Sequence, residues 1–122
     1  MRMLANSAVI TVALLHFAFM SLEMFFWNRP AGHKIFGLKP DFADKTRSLA
    51  ANQGLYNGFL AAGLIWSLLA KQFAYNLQVF FLGCVIIAGV FGGITTHRLI
   101  IWIQALPGVI ALILVFLAQS NY

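Results

Sequence analysis

Apolar residues gather in four long runs, at about 4–27, 48–69, 74–95 and 99–118. Short polar connections separate the last three, whereas a longer basic stretch at 28–47 separates the first two. Each run approaches the roughly 20 residues that an α-helix needs to cross about 30 Å of hydrocarbon. A membrane strand barrel would show short alternating segments instead. The pattern predicts an all-α integral membrane four-helix bundle, one domain over 1–122. The first run is longer than the apolar core of a signal peptide and has no A-x-A cleavage site, so it is expected to remain as a span.

Local signals refine these elements. Phe25, Phe26 and Trp27 form an aromatic anchor where the first run ends. Asn28-Arg29-Pro30-Ala31-Gly32 then breaks the helix, because proline disfavours a helical residue before it and glycine permits a turn. Ile35-Phe36-Gly37-Leu38 is apolar enough to dip into the interface. Pro40-Asp41 marks the start of the second helix, with Asp41 as N-cap and Asp44 in the first turn. Gly54 and Gly58, and later Gly89, Gly92 and Gly93, sit at spacings that let another helix approach closely. Pro107 removes a helical donor and is expected to kink the fourth span.

Composition agrees with a membrane location. Hydrophobic residues make up 61% of the chain and charged residues 9%, against about a quarter charged in a soluble domain. The net charge of +5 is not a nucleic-acid footprint, because Arg29, Lys34, Lys39, Lys45 and Arg47 all lie in the first connection. With Arg98 in the third connection, and only Arg2 and Lys71 on the other side, the positive-inside rule places connections 28–47 and 96–98 in the cytoplasm and both termini outside. The chain is therefore expected in a cytoplasmic (inner) membrane, with anionic lipid headgroups as partners of the basic belt. Cys84 falls mid-span and reads as a small apolar filler.

Polar residues inside the runs are the candidates for chemistry. Glu23 is the single glutamate, and a carboxylate within a span needs a partner, a proton or a task. His16 lies seven residues earlier on the same helical face, with Met20 between them. The second run opens with Asn52-Gln53-Gly54-Leu55-Tyr56-Asn57-Gly58, its polar residues spaced four apart in two adjacent rows. Thr95 ends the third run and Gln104 lies early in the fourth. By depth these residues converge on the membrane half next to the first and third connections, whereas the other half of every span is almost wholly apolar. One lopsided polar pocket beside connection 28–47 is expected. The bland alternatives are a Glu23 paired with Lys45 or Arg47 and amides serving as interhelical glue, at roughly 0.6 kcal/mol apiece. No H-E-x-x-H, cysteine cluster, P-loop or G-x-S-x-G is present. One carboxylate among neutral groups makes a poor permanent metal site, so no metal is expected.

His16, Glu23-Met24 and Trp27, the Asn52–Leu64 motif, Gly89, Gly92-Gly93, Thr95, Gln104 and Pro107 together resemble the small bacterial four-span proteins grouped as domain of unknown function thirteen-hundred-and-four. The resemblance covers nearly the whole chain. It implies the fold, the membrane location and a polar set of His16, Glu23, Asn52, Gln53, Tyr56, Asn57, Thr95 and Gln104. Size and span number also resemble styrene oxide isomerase, a small four-helix membrane enzyme that uses haem, although no histidine stands near Asn57.

Three functional readings follow. In the first, a small lipophilic or amphipathic ligand is bound or moved by Asn52, Gln53, Asn57, Thr95 and Gln104, in a chain that forms homo-oligomers through its glycine-rich faces. In the second, an intramembrane enzyme performs isomerase- or hydrolase-like chemistry, with or without haem. Glu23 or His16 then serves as acid–base, while Tyr56 with Asn57 polarises a carbonyl or epoxide oxygen. In the third, the chain is a structural or accessory subunit. A closed hydrogen-bonded cluster favours the third reading and an open cavity the first two.

Overall fold

The computed structural model describes residues 1–120. Among these the chain is all-α. Helix α1 spans Arg2–Phe25, α2 Pro30–Phe36, α3 Pro40–Leu69 and α4 Ala74–Thr95; a π-helical segment at Ile101–Ala105 leads into α5, Leu106–Ser120. The chain divides into two compact units, Met1–Leu15 with Leu60–Tyr122 and His16–Phe59.

Three helical stretches are long and apolar enough to cross a membrane: Arg2–Phe25, Ala74–Thr95 and Ile101–Ser120. The fourth expected span, in α3, is less apolar than these three. This helix has 30 residues, about 45 Å at 1.5 Å per residue. Asp41, Asp44, Lys45 and Arg47 occupy its first turns, and Asn52, Gln53 and Asn57 follow, which lowers its apolarity below that of the other three. The four-helix membrane bundle therefore holds only approximately.

The first unit, hereafter the terminal unit, has its core in Val9, Val12, Leu64, Leu82, Val85, Ala111 and Val115. Small residues set the helix spacing. Gly63 lies against the ring of Phe81, Gly93 against Ile101, and a Cβ on Gly89 would fall 2.6 Å from the backbone nitrogen of Ala105. The large side chains Leu14, Phe80, Ile87, Phe91, Ile113 and Phe116 remain exposed. Burying the small and exposing the large apolar residues suits lipid, where helix association depends on close packing rather than on expelling water.

The π segment has a local cause. Pro107 has no N–H, and in a regular helix its ring would press on the carbonyl of Ile103. A wider turn, closed by the Leu106 N–H donating to the Ile101 oxygen, takes up the mismatch. A π-bulge is one recognised source of a helix bend.

The second unit, hereafter the loop unit, joins the end of α1 and the first two-thirds of α3 through α2. Connection 28–47 is largely helical rather than an open loop. Pro30 stands in the first turn of α2, and Gly37 closes it in the left-handed region at φ 63°. Proline at a helix start and glycine just past its end delimit a helix as readily as they break one. Asp41 lies inside the first turn of α3 rather than capping it, because the helix already begins at Pro40. Gly54 and Gly58 pack on α1: an added Cβ would meet Met24 Cγ at 2.7 Å and Met20 Sδ at 2.7 Å, respectively. Gly54, Gly58, Gly63, Gly89 and Gly93 are thus occupied by contacts inside their own units.

Candidate functional site

In the loop unit, Glu23 and Asn57 meet where the glycines bring α3 against α1. Asn57 Nδ2 donates to Glu23 Oε1 at 2.9 Å in a part-buried setting. An ion pair between Glu23 and Lys45 or Arg47 is not formed among the described residues. A second polar chain fastens the connection: Asn28 Nδ2 donates to Asp44 Oδ1 at 3.2 Å, and His33 Nε2 lies 3.2 Å from Asn28 Oδ1. Trp27 Nε1 donates to Thr46 Oγ1 at 3.0 Å and its ring packs 5.0 Å from that of Phe36. The aromatic anchor read in the sequence therefore also ties α1 to α3.

The other expected site residues are placed differently. His16 is buried within α1, its ring edge-on to Phe19 at 5.5 Å. Asn52 and Gln53 are exposed. Tyr56 is 59% exposed, with its ring 5.9 Å from that of Phe59. Of the expected ligand-binding and acid–base residues in this unit, only Glu23 and Asn57 are hydrogen-bonded to each other. Thr95 and Gln104 belong to the terminal unit. There the Thr95 hydroxyl donates to the Phe91 carbonyl at 2.7 Å, and Gln104 lies in the π segment, half-buried.

The terminal unit contains a feature that the hydrophobic pattern did not indicate. A cavity of about 420 Å³ is walled by the start of α1, the end of α3, the start of α4 and the end of α5. Arg2, Asn6, Ser67, Lys71, Tyr75 and Gln78 supply most of its polar lining. The expected pocket beside 28–47 is thus not where this cavity lies, and the ends of the spans that wall it are not wholly apolar. Ser67 is 1% exposed, and its hydroxyl is committed to the Leu64 carbonyl. Gln78 is only 9% exposed, and its amide makes no hydrogen bond among the described residues. The amide atoms themselves stay accessible from the cavity, so Gln78 offers them to a polar guest. Phe73 turns the chain between α3 and α4 at φ 61°, a costly conformation for a bulky residue.

No group of three or more His, Cys, Asp or Glu side chains converges among the described residues. Haem needs an imidazole with an open face for the macrocycle. His16 is 1% exposed, while His33 meets Asn28 and His97 Nδ1 accepts from the Leu99 N–H at 3.0 Å. Of the three, His97 is exposed and its Nε2 lies outside that contact.

Apolar spans with an oily exterior define a membrane protein of all-α class. The family model described as "Protein of unknown function (DUF1304)" matches residues 10–116, and the chain belongs to that family. It is also similar to the uncharacterized protein YpaA of Lactococcus lactis subsp. lactis (strain IL1403), at 27% identity over 106 residues covering 85% of this chain and 89% of that protein. No solved structure matches the chain.

Proposed function

We propose that this membrane protein binds a small amphipathic molecule, its polar end in the cavity of the terminal unit and its apolar part along the exposed aliphatic surface. The observation carrying this reading is the Gln78 side chain, 9% exposed, whose amide opens on a cavity of ligand size and makes no hydrogen bond to the protein among the described residues. The Glu23–Asn57 pair acts as a tie between helices, since its geometry is that of a direct closed contact. A single-chain amphiphile bearing a diazirine near its head should label peptides containing Asn6, Ser67 or Gln78. Labelling confined to the outward positions Leu14, Ile87 and Ile113 would refute the site.

The basic connection 28–47 is proposed to lie in the cytoplasm and the termini outside, in a bacterial cytoplasmic membrane, with anionic headgroups around the basic residues. An impermeant thiol reagent applied to intact cells should modify Gln119→Cys and spare Lys39→Cys, both made in a Cys84→Ala background. The opposite pattern would reverse the orientation.

A further inference from the structure

We infer that the cavity of the terminal unit recognises an oxyanion, the phosphate group shared by a lipid headgroup and by inorganic phosphate. The inference rests on the proposal that the cavity binds a ligand and specifies the polar end of that ligand.

The charges lining the cavity are of one sign. Lys71 and Arg2 contribute to its wall, and no carboxylate side chain does so among the described residues. Arg2 has an interaction of its own, so the assigned cation is Lys71, which is exposed and borne on the short connection turned by Phe73. The neutral groups supply hydrogen-bond donors. Asn6 and Gln78 offer amide N–H groups and Tyr75 a phenolic hydroxyl, whereas the Ser67 hydrogen is already given to Leu64. Tyr75 is held by its ring contact with Phe116, at 6.2 Å between centroids.

The start of α4 adds to this field. Ala74 and Tyr75 belong both to the cavity wall and to the first turn of α4. That turn has no acidic residue, and the N-cap position Phe73 provides no side-chain hydrogen bond. Uncapped first-turn N–H groups carry the positive end of the helix dipole and favour an anion. A neutral head such as a glycerol could use the amides but would leave the one-signed charge and the helix start without a counterpart. A phosphate has more acceptor positions than a carboxylate for the donors of Asn6, Tyr75, Gln78 and Lys71.

The full chain, purified in a maltoside detergent and phosphate-free buffer, is titrated by calorimetry with a lysophosphatidic acid and with a monoacylglycerol of the same chain length. The phosphate-bearing amphiphile should bind at least about tenfold more tightly, the scale of one charge-assisted contact. Lys71→Gln, at an exposed position, should erase most of that preference while monoacylglycerol binding persists. Competition by inorganic phosphate supports recognition through the head alone. Retained preference without such competition supports a lipid source for the same group. Equal binding of the two amphiphiles would overturn the oxyanion inference and leave the ligand-binding proposal standing. Absence of binding by either would overturn both. A preference unaltered in Lys71→Gln, whose exposed site leaves folding intact, would also overturn the assignment.

Discussion

Gly89→Val destabilises the protein by about 3 kcal/mol, the upper part of the range for overpacking a close contact. The reason is the identity of the atoms nearest that position. A Cβ would lie 2.6 Å from the Ala105 nitrogen and 2.9 Å from its Cα, backbone atoms that cannot rotate away as a side chain would. Adding a β-branched residue inside a helix ordinarily gains a little relative to glycine, at most about 1 kcal/mol. The steric cost therefore decides the sign. Gly83 is the matched control, because nothing lies within 4 Å of its Cβ position. Gly83→Ala should leave stability unchanged or raise it by up to about 1 kcal/mol. Reversible unfolding in mixed micelles, with helicity as the signal, checks both; a Gly89→Val variant as stable as the parent would show that the π segment yields.

Asn57→Leu lowers stability by about 1–2 kcal/mol, since it leaves the part-buried Glu23 side chain without its donor. Glu23→Gln should cost less than about 0.5 kcal/mol, because a glutamine carbonyl can accept from the same Asn57 Nδ2. A double-mutant cycle between Glu23→Leu and Asn57→Leu should give a coupling of about 1 kcal/mol, within the range found for polar contacts between membrane helices. Unfolding measurements on the four proteins supply the cycle. A coupling indistinguishable from zero would remove the pair as a tie between α1 and α3.

The regular part of the architecture was legible from hydrophobic periodicity. The third run, 74–95, has the same bounds as α4, and the first, 4–27, differs from α1 by two residues at each end. The start at Pro40 was readable from the proline alone. Two elements escaped for different reasons. Pro30 reads as a breaker and Gly37 as part of an apolar interfacial segment, although their order, proline first and glycine last, is the signature of the short helix they enclose. The π turn depends on how Pro107 and Gly89 accommodate the backbone, which no apolar pattern encodes.

For the candidate site, the Asn-Gln-Gly-Leu-Tyr-Asn-Gly segment concentrated attention on α3. Of the polar residues in that segment, Asn57 is the one that hydrogen-bonds Glu23, because the helix turns Asn52, Gln53 and Tyr56 outward. Asn6, Ser67 and Gln78 were missed for the opposite reason. Each is an isolated polar residue near the end of a different apolar run, and only helix packing gathers them around one cavity. Noting which ends of antiparallel runs face the same way, and tabulating single polar residues by that depth, is the sequence signal that would have found them.

The wide turn at Ile101–Ala105 also bears on how the chain tolerates changes in length. A π-bulge contains one residue more than the α-helical turn it replaces. Removing one residue there, together with exchange of Pro107 for an ordinary helix former, would let the segment close as regular α-helix while the faces before and after it keep their directions. The same deletion within α4 would rotate everything beyond it by about 100° and carry Gly89 or Gly93 out of register with its neighbours. Natural single-residue gaps in this part of the family should therefore collect at the π turn, where the backbone can absorb them without disturbing the packed glycines.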